Sequence, residues 1–96
     1  MLVVMAKIKI KSGTEKEFLE KTRPLIKGSR AEDGCIGYGL YKSAEENDLY
    51  MMVEQWKNQD IFEKHTASDH FKQFGADAGP LMDAELDIQI YPVADE

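Results

Sequence analysis

Glu54 and His65 are the residues of this 96-residue sequence whose types and settings could do chemistry. Glu54 lies in Tyr50-Met51-Met52-Val53-Glu54-Gln55-Trp56, at a strand position that otherwise carries apolar side chains. A buried carboxylate without a partner costs several kcal/mol or takes a raised pKa. His65 is the candidate to satisfy it, because a carboxylate–histidine pair orients an imidazole and tunes it as a general base. The same pair also reads as a structural hydrogen bond tying a strand to a helix. Trp56 taken alone reads more readily as core than as a platform for a ligand.

Strand parity places Tyr50, Met52, Glu54 and Trp56 on one face. If that face looks toward helices, it meets Phe62, His65, Phe71 and Phe74. The result is an apolar, aromatic-lined pocket with one carboxylate and one imidazole, a composition that suits a flat organic ligand.

Other chemistries find little support. His65 and His70 are five residues apart, not the three or four that put two ligands on one helical face, and there is no cysteine cluster, so no metal site is expected. Gly34, Gly37 and Gly39 follow a helical stretch instead of opening one, unlike a dinucleotide fingerprint. No local signature assembles a Ser-His-Asp triad. No bound cofactor is expected. The one cysteine, Cys35, allows no intrachain disulfide and reads as a small buried filler at a strand start.

The elements that must position Glu54 and His65 follow from periodicity. Residues 2–10 predict a strand, alternating after Met5, and Ser12-Gly13 ends it. Thr14 with Glu17 predicts a capping box opening a helix whose face is Phe18, Thr22, Leu25, Ile26 and Ser29, with Pro24 kinking it. Asp33-Gly34 closes that helix. Residues 35–43 and 49–57 predict an antiparallel hairpin around the polar turn Glu45-Glu46-Asn47-Asp48. Asn58 caps a short helix to about Thr66, and Ser68 caps another carrying Phe71, Phe74, Ala78 and Leu81 until Gly79-Pro80 breaks it. Residues 84–93 close as a strand with Leu86, Ile88 and Ile90 on one face. The order is β-α-β-β-α-β, a ferredoxin-like α+β fold with an antiparallel sheet, expected as one domain over residues 1–96.

The third strand is apolar on both faces, with Leu49, Met51 and Val53 opposite Tyr50 and Met52. Helices on one side cover only one face of a four-stranded sheet, so a second copy of the same sheet is the expected cover. An unusually apolar exposed sheet is the other reading.

Charge narrows the partners. Eighteen acidic residues against twelve basic give a net charge of −6, which disfavours nucleic acid and anionic membranes. Lys7, Lys9, Lys11 and Lys16 read as a solvated strand edge. No apolar run approaches a membrane span, and the apolar start through Ala6 reads as a strand and not a signal peptide, so the expected compartment is the cytoplasm.

The segment Glu54-x-Trp56-x5-Phe62-x2-His65-x2-Ser68-x-His70-Phe71 resembles the antibiotic biosynthesis monooxygenase family, including its quinol monooxygenase-like members. Arg30-x-Glu32-Asp33-Gly34-Cys35-x-x-Tyr38 and Pro24-Leu25-Ile26 agree with it, and the likeness runs from Val4 to Pro92. The resemblance implies a homodimer whose sheets pack into a shared α/β barrel, with one pocket per subunit. It implies cofactor-independent oxidation of phenolic or quinol-like molecules by molecular oxygen. On these residues it implies His65 as base, Glu54 as its orienter or a substrate contact, and Trp56, Tyr38, Phe62, Phe71 and Phe74 as stacking walls, with Met52 beside them. Haem-degrading relatives carry an asparagine and a haem-ligating histidine at positions that fall near Ala6 and Gly75 of this sequence, and neither residue can play the part, so haem degradation is not expected. Two alternatives stay open: an isomerase or lyase of a small carbonyl compound, and a non-catalytic binding domain.

Overall fold

Apolar residues at every second position make the first strand. In β1 (Leu2–Lys9), Leu2, Val4, Ala6 and Ile8 are buried while the side chains between them are half-buried or exposed. The computed structural model describes residues 1–94. Helix α1 (Glu15–Arg30) buries Phe18, Thr22, Leu25 and Ser29, four of the five residues expected on its inner face. The expected capping box does not form. The Thr14 hydroxyl instead donates to the Lys11 carbonyl at 2.7 Å, which commits it to the turn before the helix. Pro24 lies inside α1 and the helix runs through it to Arg30.

Strands β2 (Cys35–Lys42) and β3 (Leu49–Trp56) pair as an antiparallel hairpin. Helix α2 (Gln59–Thr66) follows, with the Asn58 side chain accepting from the Ile61 amide as expected. Helix α3 (Asp69–Ala78) is capped by the Ser68 hydroxyl, which accepts from the Phe71 amide, and a 3₁₀ turn at Gly79–Leu81 ends it at the Gly-Pro break.

The last strand, β4 (Asp87–Pro92), is shorter than the expected span of 84–93. It pairs antiparallel with β1, and the sheet order is β2-β3-β1-β4. Register sets Ile88 opposite Ala6 and Ile90 opposite Val4, so both share the sheet's inner face, yet each stays 43% exposed. The edge position explains this: β4 has a neighbouring strand on one side only, and the helices pack mainly on β2 and β3 at the other side of the sheet.

The result is the ferredoxin-like βαββαβ arrangement, an antiparallel sheet with its helices on one face. The inner face carries Tyr50, Met52, Glu54 and Trp56, all buried. The outer face carries Val3, Met5, Met51 and Val53, all half-buried, with Tyr41 and Tyr91 exposed. Among the described residues no helix is long and apolar enough to cross a membrane.

Candidate active site

Glu54 and Trp56 are two residues apart on β3 and therefore project from the same face. Their side chains meet: the Trp56 indole Nε1–H donates to Glu54 Oε1 at 2.9 Å. Burial pushes the Glu54 carboxyl up to about 7, against the opposing effect of the Trp56 hydrogen bond and reinforced by the nearby Glu32 charge.

His65 is on the inner face of α2, one turn after Phe62, and is 1% exposed. Trp56 lies against its ring, with centroids 4.4 Å apart; Phe71 meets it edge-on at 5.2 Å and Tyr38 at 5.5 Å. Burial lowers the His65 pKa, and Glu32 opposes that shift.

The expected pairing of His65 with Glu54 does not form. His65 Nε2 is 3.8 Å from Glu54 Oε1, beyond hydrogen-bond reach, because the Glu54 oxygen is held by Trp56. The carboxylate bonded to His65 is Glu32, whose Oε2 accepts from Nδ1 at 2.7 Å. An ionised carboxylate can only accept, so the proton of a neutral His65 sits on Nδ1 and the lone pair on Nε2. Nε2 is buried and has no hydrogen-bond partner among the described residues. A buried, unpaired ring nitrogen is costly in a purely structural role, and it is what a general base presents to its substrate.

Glu32 comes from the turn between α1 and β2. Its amide donates to the Ser29 carbonyl and its carbonyl accepts from the Cys35 amide, which fixes the backbone at the site. Gly34 makes the turn possible. It has φ +86°, and a Cβ there would lie 2.8 Å from the Ile61 side chain, so a larger residue would be strained and would collide with α2. Cys35 follows, partly buried, with its thiol pushed up by burial.

A second histidine reaches the same carboxylate. His70 Nε2 donates to Glu32 Oε2, also at 2.7 Å. The two histidines are on different helices, split by the Ser68 cap, so their five-residue spacing does not keep them apart. Glu32, His65 and His70 each offer a possible ligand atom, all within 4.8 Å of one another. Two ligands at metal bonds of about 2.0–2.1 Å sit at least about 3 Å apart. The 2.7 Å separations are shorter and match charge-assisted hydrogen bonds, so the cluster is read as one carboxylate holding two imidazoles.

Tyr38, Met52, Glu54, Phe62, Phe71 and Phe74 together line one cavity of about 40 Å³. They are the five side chains expected to contact a ligand together with Glu54, the polar member of the set. Trp56 and His65 stand behind this wall, fully buried. Leu86 and Ile88 form the side of the cavity next to β4. Tyr38 is fixed through its backbone, whose carbonyl accepts from Arg30 Nε at 2.9 Å, and burial raises the pKa of its hydroxyl.

A family model described as antibiotic biosynthesis monooxygenase matches residues 1–77, which span every residue of this site except the β4 wall. The chain belongs to this family. YcnE of Bacillus subtilis, provisionally named a monooxygenase, is 35% identical over 88 residues, covering 92% of this chain and 93% of its own. A conserved protein of Methanosarcina mazei has a solved structure that matches with a TM-score of 0.90 at 34% identity, over 94% of this chain and 89% of that one. PA3566 of Pseudomonas aeruginosa matches with a TM-score of 0.86 at 30% identity, over 97% and 94%. Membership in the antibiotic biosynthesis monooxygenase family makes the function monooxygenase-like.

Within that family frame, two residues of the site had no expected role. Glu32 entered only as part of the resembling segment Arg30–Tyr38, with no role given to it, and nothing local connects it to His65. Gly28, inside α1, has a clearer signal, since an interior helical glycine costs about 1 kcal/mol relative to alanine and calls for a packing reason. The reason is His70: a Cβ at Gly28 would lie 2.7 Å from the His70 ring.

Proposed function

We propose that this protein is a cofactor-independent monooxygenase that oxidises a phenolic or quinol-type small molecule with molecular oxygen. The observation that carries the reading is the buried His65, whose Nδ1 is committed to Glu32 while Nε2 is left unpaired, 3.8 Å from the Glu54 carboxylate that lines the cavity. His65 Nε2 takes the proton of the substrate hydroxyl, and Glu32 stabilises the imidazolium. The electron-rich anion reduces oxygen directly. A phenol retains one oxygen atom as it becomes a quinone. The other atom leaves as water, carrying the two hydrogens lost from the hydroxyl and the ring carbon. Tyr38, Phe62, Phe71 and Phe74 shield the intermediate from water.

A cavity of about 40 Å³ accommodates two or three waters and not a ring. Substrate entry in this reading displaces the Leu86–Ile88 wall, whose side chains are already partly exposed and lie at the start of, or just before, the edge strand β4. The small cavity favours a second reading, a non-catalytic domain in which the aromatic cluster is filled core. An isomerase or lyase reading uses the same His65 to move a proton without oxygen. Oxygen uptake with a panel of quinols and phenols, with and without His65→Ala, separates the three. Loss of about 10²-fold or more in the variant supports the proposal. Turnover that persists anaerobically favours the isomerase or lyase, and no turnover with any substrate favours the binding domain.

The working unit in this proposal is a homodimer joined through the outer faces of two sheets. Val3, Met5, Met51 and Val53, flanked by Tyr41 and Tyr91, make that face apolar and uncovered by helices. Its partners are then a second copy and a small aromatic substrate, with the cytoplasm as the working compartment.

A further inference from the structure

His70 has a place built for it. Its ring packs on the bare backbone of α1 at Gly28, where a Cβ would come 2.7 Å from Cγ and 2.8 Å from Nδ1. Its Nε2 reaches the same Glu32 oxygen that accepts from His65, at the same 2.7 Å. One side of this assembly is wet and the other dry. The His70 side chain is 24% exposed and borders a groove of about 460 Å³ between α1 and α3, whereas the His65 side chain is 1% exposed.

We propose that His70 is a positioning residue that acts through Glu32, pinning the carboxylate and setting the basicity of the buried His65. The inference rests on the reading of His65 as the base and assigns a residue that controls it. A carboxylate oxygen shared between two N–H donors is a weaker acceptor for either one than an unshared oxygen. His70 therefore limits how strongly Glu32 stabilises a protonated His65. When His70 itself takes up a second proton, its charge opposes a charge on His65 further, because the two rings lie 6.0 Å apart. Events in the groove, such as protonation or an anion against His70, are then felt at His65 without contact.

Other titratable groups face this assembly. Glu54 lies on the β3 side of His65, and Tyr38 and Cys35 on the β2 side. From α1, Glu20 and Lys21 share the groove with His70; from α3, Asp69 and Asp77 do. None of these is hydrogen-bonded to either histidine ring among the described residues. Glu32 is the one link between the two imidazoles.

The test is a pH titration of the intact protein with ¹⁵N-labelled histidine, read by NMR, which reports the tautomer and protonation of His65 without a substrate. The wild type is expected to show the Nδ1–H tautomer at His65. His70→Leu frees the Glu32 oxygen for His65 alone, and the His65 proton affinity is expected to rise about threefold or more. Gly28→Ala expels the His70 ring and is expected to shift His65 in the same direction. His70→Gln keeps an N–H donor that does not titrate; it is expected to preserve the tautomer and to remove any second step from the His65 curve. Superimposable His65 curves in wild type and in folded His70→Leu or Gly28→Ala overturn the proposal. So does stoichiometric zinc binding that Glu32→Gln abolishes, because the cluster is then a metal site. Failure of the base reading shows elsewhere, as undiminished turnover in His65→Ala, and leaves the titration result intact.

Discussion

Glu32 and His65 are joined by a 2.7 Å hydrogen bond across 33 residues of sequence, from the turn after α1 to the last turn of α2. It fixes which nitrogen of the imidazole faces the β3 carboxylate. Glu32→Gln removes the charge but keeps an acceptor. The expected outcome is a fall of about tenfold to a hundredfold in oxygen-uptake rate. The acidic limb of the pH–rate profile moves to lower pH, since His65 loses the group that favours its protonation. Glu32→Leu strands two imidazole N–H donors, and urea unfolding should show a loss of about 2–3 kcal/mol.

The fold was legible because its signals are local and repeat. Alternation after Met5 in the first strand, the polar turn between residues 35–43 and 49–57, and the Asn58 and Ser68 caps each need only a few neighbours to be read. Parity then brought Met52, Glu54, Phe62, Phe71 and Phe74 to one cavity, since a strand's inner face and a helix's inner face must meet; Tyr38, on the same cavity, was indicated only by the family resemblance. Glu32 was not legible as the partner of His65. It sits in an aperiodic turn, and its approach depends on Gly34 letting that turn pack against Ile61. The five-residue spacing of His65 and His70 says nothing of their shared carboxylate, because the Ser68 cap puts them on two helices that converge on Glu32. The β4 end was over-extended because Leu86 continues the alternation of Ile88 and Ile90 without joining the ladder.

Trp56→Phe isolates the indole N–H. Phenylalanine retains most of the ring packing against His65 and Tyr38 but cannot donate to Glu54. The expected cost is about 1–2 kcal/mol in chemical unfolding at neutral pH. The Glu54 carboxyl rises further, because the Trp56 hydrogen bond is what opposes burial there. A stability equal to wild type at both pH 5 and pH 8 would show that the bond contributes nothing.

Val53→Lys tests the outer sheet face. Val53 pairs with Met5 and Gly39 across the ladder and faces away from the helices, so the substitution does not enter the core. A lysine at the centre of a sheet-to-sheet contact buries an unpaired charge in both copies. Light scattering should report a dimer for wild type and a monomer for the variant, with circular dichroism unchanged. A wild-type monomer at micromolar concentration would remove the dimer from the proposed function.

Glu54 predicts a pH dependence whose sign follows from its burial. Its folded-state pKa is raised to about 7 from 4.5, so the native state holds a proton that the unfolded chain releases earlier. The associated stability is fully present below about 4.5 and is lost as pH rises through about 7, an effect on the order of 3 kcal/mol. His65 acts in the opposite sense. Its pKa is lowered, so its contribution is present above the ordinary histidine value near 6.5 and fades as pH falls below it. The two are separated by comparing wild type with Glu54→Gln in urea unfolding at pH 5 and pH 8, where titrations that do not sense Glu54 cancel in the difference. Wild type should lose stability relative to Glu54→Gln on going from pH 5 to pH 8. A difference that stays constant between the two would mean that Glu54 is as easily ionised in the fold as in the unfolded chain. The same carboxyl, protonated below about 7, would donate a hydrogen bond to a substrate oxygen, so the pH–rate profile should carry its loss as a basic limb that Glu54→Gln abolishes.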